Sequence, residues 1–277
     1  MRATHTCPPP DMRARRPVLP FGAMRRHCWL LLALAAAIFA PARAPCAEVA
    51  DKDAGHFEVW SHGQKVRREE FSIVASGDSL MVMAGSYPLS PPPPVTGPIP
   101  FDKSMQVLLG AEDFGLRSYV SQQVFGPDTL KRGIVIEGQA DTVFTVYREL
   151  NGHGVGDRLV LPPGRLFVLD PPLFTHFDLV CRALRGKAFD RRPVTLFALG
   201  VRDTVLEATV TDLGSETIRW GARPVVARKL GIYDAQTRFV TWCGPDGRML
   251  KLEQPESELS VRRVAPPVKR RAARPSK

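Results

Sequence analysis

The sequence predicts a mainly β fold: a curved antiparallel sheet, or half-barrel, around a single packed helix. Three observations lead there. Short runs of alternating apolar and polar residues recur along most of the chain, separated by Gly, Asp and Pro turns. Only residues 172–185 space their apolar side chains at helical intervals. No repeat of fixed period points to propeller blades or a solenoid.

The segment before the fold is read first. Residues 24–47, MRRHCWLLLALAAAIFAPARAPCA, carry two arginines, an apolar stretch from Cys28 to Ala40, and then small residues and prolines. That is the order of parts in a secretory signal peptide. The stretch falls short of the ~20 residues a spanning helix needs, so soluble export is expected, with a retained anchor as the other reading. Cys46 raises lipidation as an alternative, although Arg43, Ala44 and Pro45 before it lack the usual pattern. Met24 is taken as the start, the alternative being a long charged region from Met1. The expected organisation is a leader over 1–47, one β-rich domain over 48–261 and a basic disordered tail over 262–277.

Within the domain, HFEVWSHGQKVRREEFSIVASGDSLMVMAG, residues 56–85, reads as strand, turn, strand, turn, strand, with HG and GD as the turns. The proline run that follows, YPLSPPPPVTGPIP, cannot donate to a ladder and is expected as a stiff connector. Strands resume at SMQVLLG, GLRSYVSQQVFG, RGIVIEG and DTVFTVYREL. Residues 151–194 break the pattern. NGHGVG reads as a glycine-rich turn, and LFTHFDLVCRAL places Leu173, Phe177, Val180 and Leu184 on one helical face. This predicts a helix from about Pro172 to Arg185, closed by Gly186. The last third returns to β through VTLFALGV, TVLEATVTDLG, SETIRWG and RPVVARKLGIYD. It ends in a hairpin, RFVTWC and RMLKLE, around the turn GPDG.

Two places resemble the lipoprotein-carrier half-barrel (the LolA/LolB-like fold) and related secreted bacterial families of unknown function. FEVWSHGQKVRREEFSI looks like their first hairpin, with Arg67 where glycine is expected. SETIRWGARPVVARKLGIYDAQTRFVTWCGPDGRMLKLE looks like their closing one. The resemblance implies the half-barrel shape and hints at a carrier.

Charge bounds the partners. The leader holds seven Lys and Arg and one acid, and the segment from Arg262 seven more and no acid. Of 38 basic and 28 acidic residues, 24 and 27 therefore remain in between, a net charge of −3. The basic excess belongs to the ends, which argues against nucleic acid as a partner of the folded surface. The tail is expected to be solvated, with contact to a membrane surface as its alternative use. Beyond the leader, Cys181 and Cys243 remain, either bridged, as an even pair in an oxidising compartment suggests, or as two buried thiols.

Catalytic constellations are not found. His56, His62, His153 and His176 are scattered without metal-ligand spacing. No G-x-S-x-G elbow occurs, and Glu69 and Glu70, adjacent on a strand, point to opposite faces. The chain is therefore read as a non-enzyme without cofactor or metal. The expected function is non-covalent binding of a hydrophobic or amphipathic ligand, a lipid or acyl chain, by an exported periplasmic or cell-envelope protein. Its pocket would be lined by Trp60, Phe71, Phe144, Phe174, Phe177, Trp220 and Trp242. The other reading is a structural or protein-interaction module of the envelope, in which those side chains are simply core.

Overall fold

In sheets, side chains alternate between faces, and β2 (Gln64–Ser76) shows the pattern on which the fold rests. Glu69, Phe71 and Ile73 are buried, while Glu70 and Ser72 between them are partly exposed. The computed structural model describes residues 52–89, 102–136, 143–160, 166–200, 203–234 and 237–266. The expected leader, Cys46, the proline run from Pro91 and the end of the tail lie outside the described residues.

The first described strand lies in the middle of the sheet. β1 (Lys52–Ser61) has β2 on one side. From there β3 (Ser79–Pro88), β4 (Lys103–Gly110), β5 (Leu116–Phe125), β6 (Asp128–Ile136), β7 (Val143–Leu150) and β8 (His153–Val160) step outward as an antiparallel meander. β9 (Leu166–Leu169) lies at the opposite edge, followed by α1 (Thr175–Ala183). The chain then returns through β10 (Arg191–Ala198), β11 (Thr204–Trp220), β12 (Arg223–Tyr233), β13 (Arg238–Cys243), β14 (Met249–Gln254) and β15 (Leu259–Arg263), which pairs with β1. Among the described strands only β9 and β10 pair in parallel, and α1 supplies the crossover that a parallel pair needs.

The sheet is curved and unclosed. Fifteen strands laid flat would span roughly 67 Å at a strand spacing of ~4.8 Å. Yet six chain steps join Val160 on one edge to Leu166 on the other, a reach of at most about 22 Å. The sheet must therefore curl until its edges approach, and the hollow it makes holds α1, which packs on β9, β13 and β14.

The helix starts later than its apolar spacing predicts because its N-terminus is fixed from outside. Glu69 accepts hydrogen bonds from the backbone N–H groups of Phe174 (2.6 Å) and Thr175 (2.9 Å). These are donors that the first turn cannot satisfy internally. At the other end, Leu184 N–H donates to the Val180 carbonyl, and Gly186 takes a left-handed φ of 66°. Of the nine helical residues only Arg182 is not buried. Cys181 on α1 and Cys243 on β13 are joined as a disulfide.

Three elements differ from the sequence reading. HGVGDRLV, read as a glycine-rich break, is β8, paired along its whole length with β7. Almost every residue of this edge strand is exposed, so it shows no burial alternation to read. TVLEATVTDLG and SETIRWG are one 17-residue strand, β11, with a register shift between Asp212 and Ser215 that includes Gly214 at φ 85°. Arg262 and Arg263, counted with the tail, belong to β15, and Arg263 is buried.

Candidate functional site

The seven aromatic residues expected to line one pocket are divided between two faces. Phe71, Phe144, Phe174 and Phe177 are buried in the core that surrounds α1, with Phe71 stacked on Phe57 at 4.8 Å and Phe177 against Phe239 at 4.7 Å. Trp220 and Trp242 belong to a small cluster with Ala227, Val240 and Leu250. This cluster lies on the convex face, because the neighbours of Trp242 in β13, Phe239 and Thr241, face the helix side through Phe177 and Cys181. Lys229 and Lys251 flank the Trp242 ring at 4.9 and 4.3 Å. Trp60 also faces outward, with Arg262 at 5.6 Å, since Val59 beside it is core.

Inside the sheet, buried polar groups hold the helix in three places. The first is Glu69, fully buried, which takes the Thr175 hydroxyl (2.5 Å) as well as two backbone donors. Burial pushes its carboxyl up to about 7 against the lowering effect of those hydrogen bonds. The second is Asp170, just after β9. It pairs with Lys103 and accepts hydrogen bonds from Tyr119 (2.6 Å) and Arg132 (3.3 Å), while Lys103 also reaches the Pro171 carbonyl (2.6 Å). Burial pushes the Lys103 ammonium below its usual value, and Asp170 opposes that shift. Tyr119 lies 5.8 Å from the His176 ring. Burial lowers His176 to about 4, and its Nε2 has no hydrogen-bond partner among the described residues.

The third anchor opens to solvent. Asp178 on α1 accepts from Met249 N–H (2.6 Å), from Arg182 Nε (2.7 Å) and from Arg263 (3.2 Å). Asp53 on β1 binds Arg263 (2.8 Å) and Arg182, with Arg248 at 3.4 Å. Burial acts to raise the Asp53 carboxyl, and these guanidinium groups overcome it and hold it below the usual carboxylate range.

Above that network lies a cleft of about 460 Å³. Ile73, Ala75, Leu80, Ala111 and Phe114, from β2, β3 and the β4–β5 loop, make an apolar wall. Asp53, Arg182, Arg185, Asp246 and Arg248, from β1, the end of α1 and the β13–β14 turn, make a charged one. Its volume is that of a small-molecule site. Phe114, in a left-handed conformation at φ 57°, also borders a small apolar hollow of about 20 Å³ beside α1, which His176 and Leu179 help to line.

None of the cleft residues was singled out by sequence reasoning. They come from six separate segments that only the folded sheet and its ion pairs bring together. Among the described residues no group of His, Cys, Asp and Glu is arranged to hold a metal. No family model matches the chain, and no similar curated protein or solved structure was found.

Proposed function

We propose that this is an exported cell-envelope protein that binds a hydrophobic or amphipathic ligand, such as a lipid or acyl chain, without covalent chemistry. One observation carries the reading: a solvent-open cleft with one apolar and one cationic wall, beside the one α-helix among the described residues. Apolar surface buried there stabilises a complex by ~25 cal/mol per Å², while the charged wall orients a polar end. The lipoprotein-carrier resemblance of the two hairpins agrees with this use of a curved sheet.

A second reading, a structural or protein-interaction module of the envelope, is favoured by the solid packing around Phe71, Phe144, Phe174 and Phe177. Beside α1 that packing leaves a hollow of about 20 Å³. Native mass spectrometry of the protein recovered from an envelope fraction, followed by organic extraction, separates the two. A lipid released on denaturation supports the carrier, whereas a bare protein mass with no added lipid binding favours the module.

A further inference from the structure

The charged wall of the cleft contains more positive than negative groups. Three guanidinium groups, of Arg182, Arg185 and Arg248, line it with two carboxylates, of Asp53 and Asp246, and the buried Arg263 and Asp178 behind them add one charge of each sign. Arg182 and Arg263 each bind both Asp53 and Asp178, and Arg248 pairs with Asp246 at 3.3 Å and Asp53 at 3.4 Å. Arg185 is the remainder. Its guanidinium has no hydrogen-bond or ion-pair partner among the described residues, yet it lines the cleft.

Its position is built rather than incidental. Gly247, in the turn between β13 and β14, has φ 81°, and a Cβ there would lie 3.0 to 3.3 Å from the Arg185 side-chain carbons. The absent side chain lets the turn close over the stem of Arg185. The location at the C-terminal end of α1 suits a cation on its own, but a cation at a helix end does not require a cleft with an apolar wall facing it.

Resting on the amphiphile-binding reading above, we infer that the ligand carries a single negative charge, held by Arg185 at the cleft mouth, and a hydrocarbon tail lying along Ile73, Leu80 and Phe114. The charge count chooses the head. One surplus cation matches a carboxylate, whereas a phosphate monoester brings about −1.5 to −2 and would leave negative charge unpaired beside Asp53 and Asp246. The class assigned is therefore a long-chain carboxylic acid.

The test is calorimetric titration of the full-chain protein, after organic extraction of bound lipid, with dodecanoate, dodecanol and dodecyl phosphate. Arg185→Gln is examined beside wild type. Because Arg185 is exposed, the variant is expected to keep the wild-type melting temperature, which is measured in parallel. Dodecanoate should bind most tightly, and the variant should weaken it about tenfold, the scale of one charge-assisted hydrogen bond, while leaving dodecanol unaffected. Equal binding of dodecanoate and dodecanol, indifferent to the substitution, would overturn the head-group assignment and leave the amphiphile reading standing. Tighter binding of dodecyl phosphate would overturn the single-charge assignment. Failure of all three ligands to bind would remove the amphiphile reading itself.

Discussion

One carboxylate oxygen of Glu69 accepts both the backbone N–H (2.9 Å) and the hydroxyl (2.5 Å) of Thr175, 106 residues further along the chain. A strand side chain thus caps the helix in place of the usual local N-cap residue. Because burial raises this carboxyl to about 7 from 4.5, the native state holds a proton there that the unfolded chain has released. The stabilisation from Glu69 is therefore complete below pH 4.5 and is lost as pH rises through 7. Linkage puts the loss on the order of 3 kcal/mol. Glu69→Gln keeps an acceptor and removes the titration, so urea midpoints over that pH range should fall in wild type relative to the variant. Parallel curves for the two proteins would contradict the assignment.

His176 has the opposite sign. Its imidazole is lowered to about 4 from 6.5, so its contribution is present above pH 6.5 and lost as pH falls through 4. Between 4.5 and 6.5 the two groups oppose each other, and wild-type stability should be nearly flat there. His176→Leu removes an unpartnered buried Nε2 next to a small apolar hollow. It should raise stability near neutrality by about 1 kcal/mol and remove the imidazole's share of the acid-side loss. A destabilised variant at pH 7 would show that the imidazole has a partner in solution.

The disulfide fixes α1 to β13 across a separation of 62 residues. On the chain-entropy account, a loop of that length contributes about 4 kcal/mol. Cys181→Ala with Cys243→Ala should lower the denaturation midpoint accordingly, and wild type in reductant should fall towards the same value.

Asp170 is the common acceptor of Lys103, Tyr119 and Arg132. Asp170→Asn leaves two buried cations without their counter-charge and should cost roughly 3–5 kcal/mol. Lys103→Met in the same chain should recover part of that loss, as double-mutant denaturation would show. Additive costs would mean that the pair is not coupled.

Phe114 separates the cleft from the inner hollow while holding a backbone conformation that strains a bulky residue. Phe114→Gly relieves the strain as it removes a half-buried ring, so stability should change by less than about 1 kcal/mol. If an acyl chain occupies the cleft, the variant should shift preference from dodecanoate towards hexadecanoate in competition titrations. An unchanged preference would place the tail elsewhere.

The sheet and helix were legible in the sequence because burial imposes a period. Glu69, Phe71 and Ile73 alternate with polar neighbours, and Phe177, Val180 and Leu184 recur at helical spacing. β8 escaped because an exposed edge imposes none, and β15 because its buried Arg263 reads as tail when only charge is counted. Glu69 and Glu70 do face opposite ways: Glu69 caps α1, and Glu70 meets Arg68 (3.1 Å) on the other side. The cleft was illegible for a different reason. Its charges are spread from Asp53 to Arg248, and no local pattern says that a carboxylate on the first strand will meet a guanidinium on the helix. Tryptophan drew attention by its size, yet the pleat sends Trp60, Trp220 and Trp242 to the far face.

The pairing of β1 with β15 has a topological consequence. In space the fifteen described strands form a single ordered ribbon from β9 round to β8, but the first of them along the chain lies in its middle, so β1 presents a bare edge until β15 has been made. Joining residue 266 to residue 52 and opening the chain between β8 and β9 would turn the same ribbon into one uninterrupted run in which every antiparallel neighbour is also a sequence neighbour. Such a circular permutant should keep the native sheet and refold faster than the parent, because its longest loop closure has been replaced by a short covalent link.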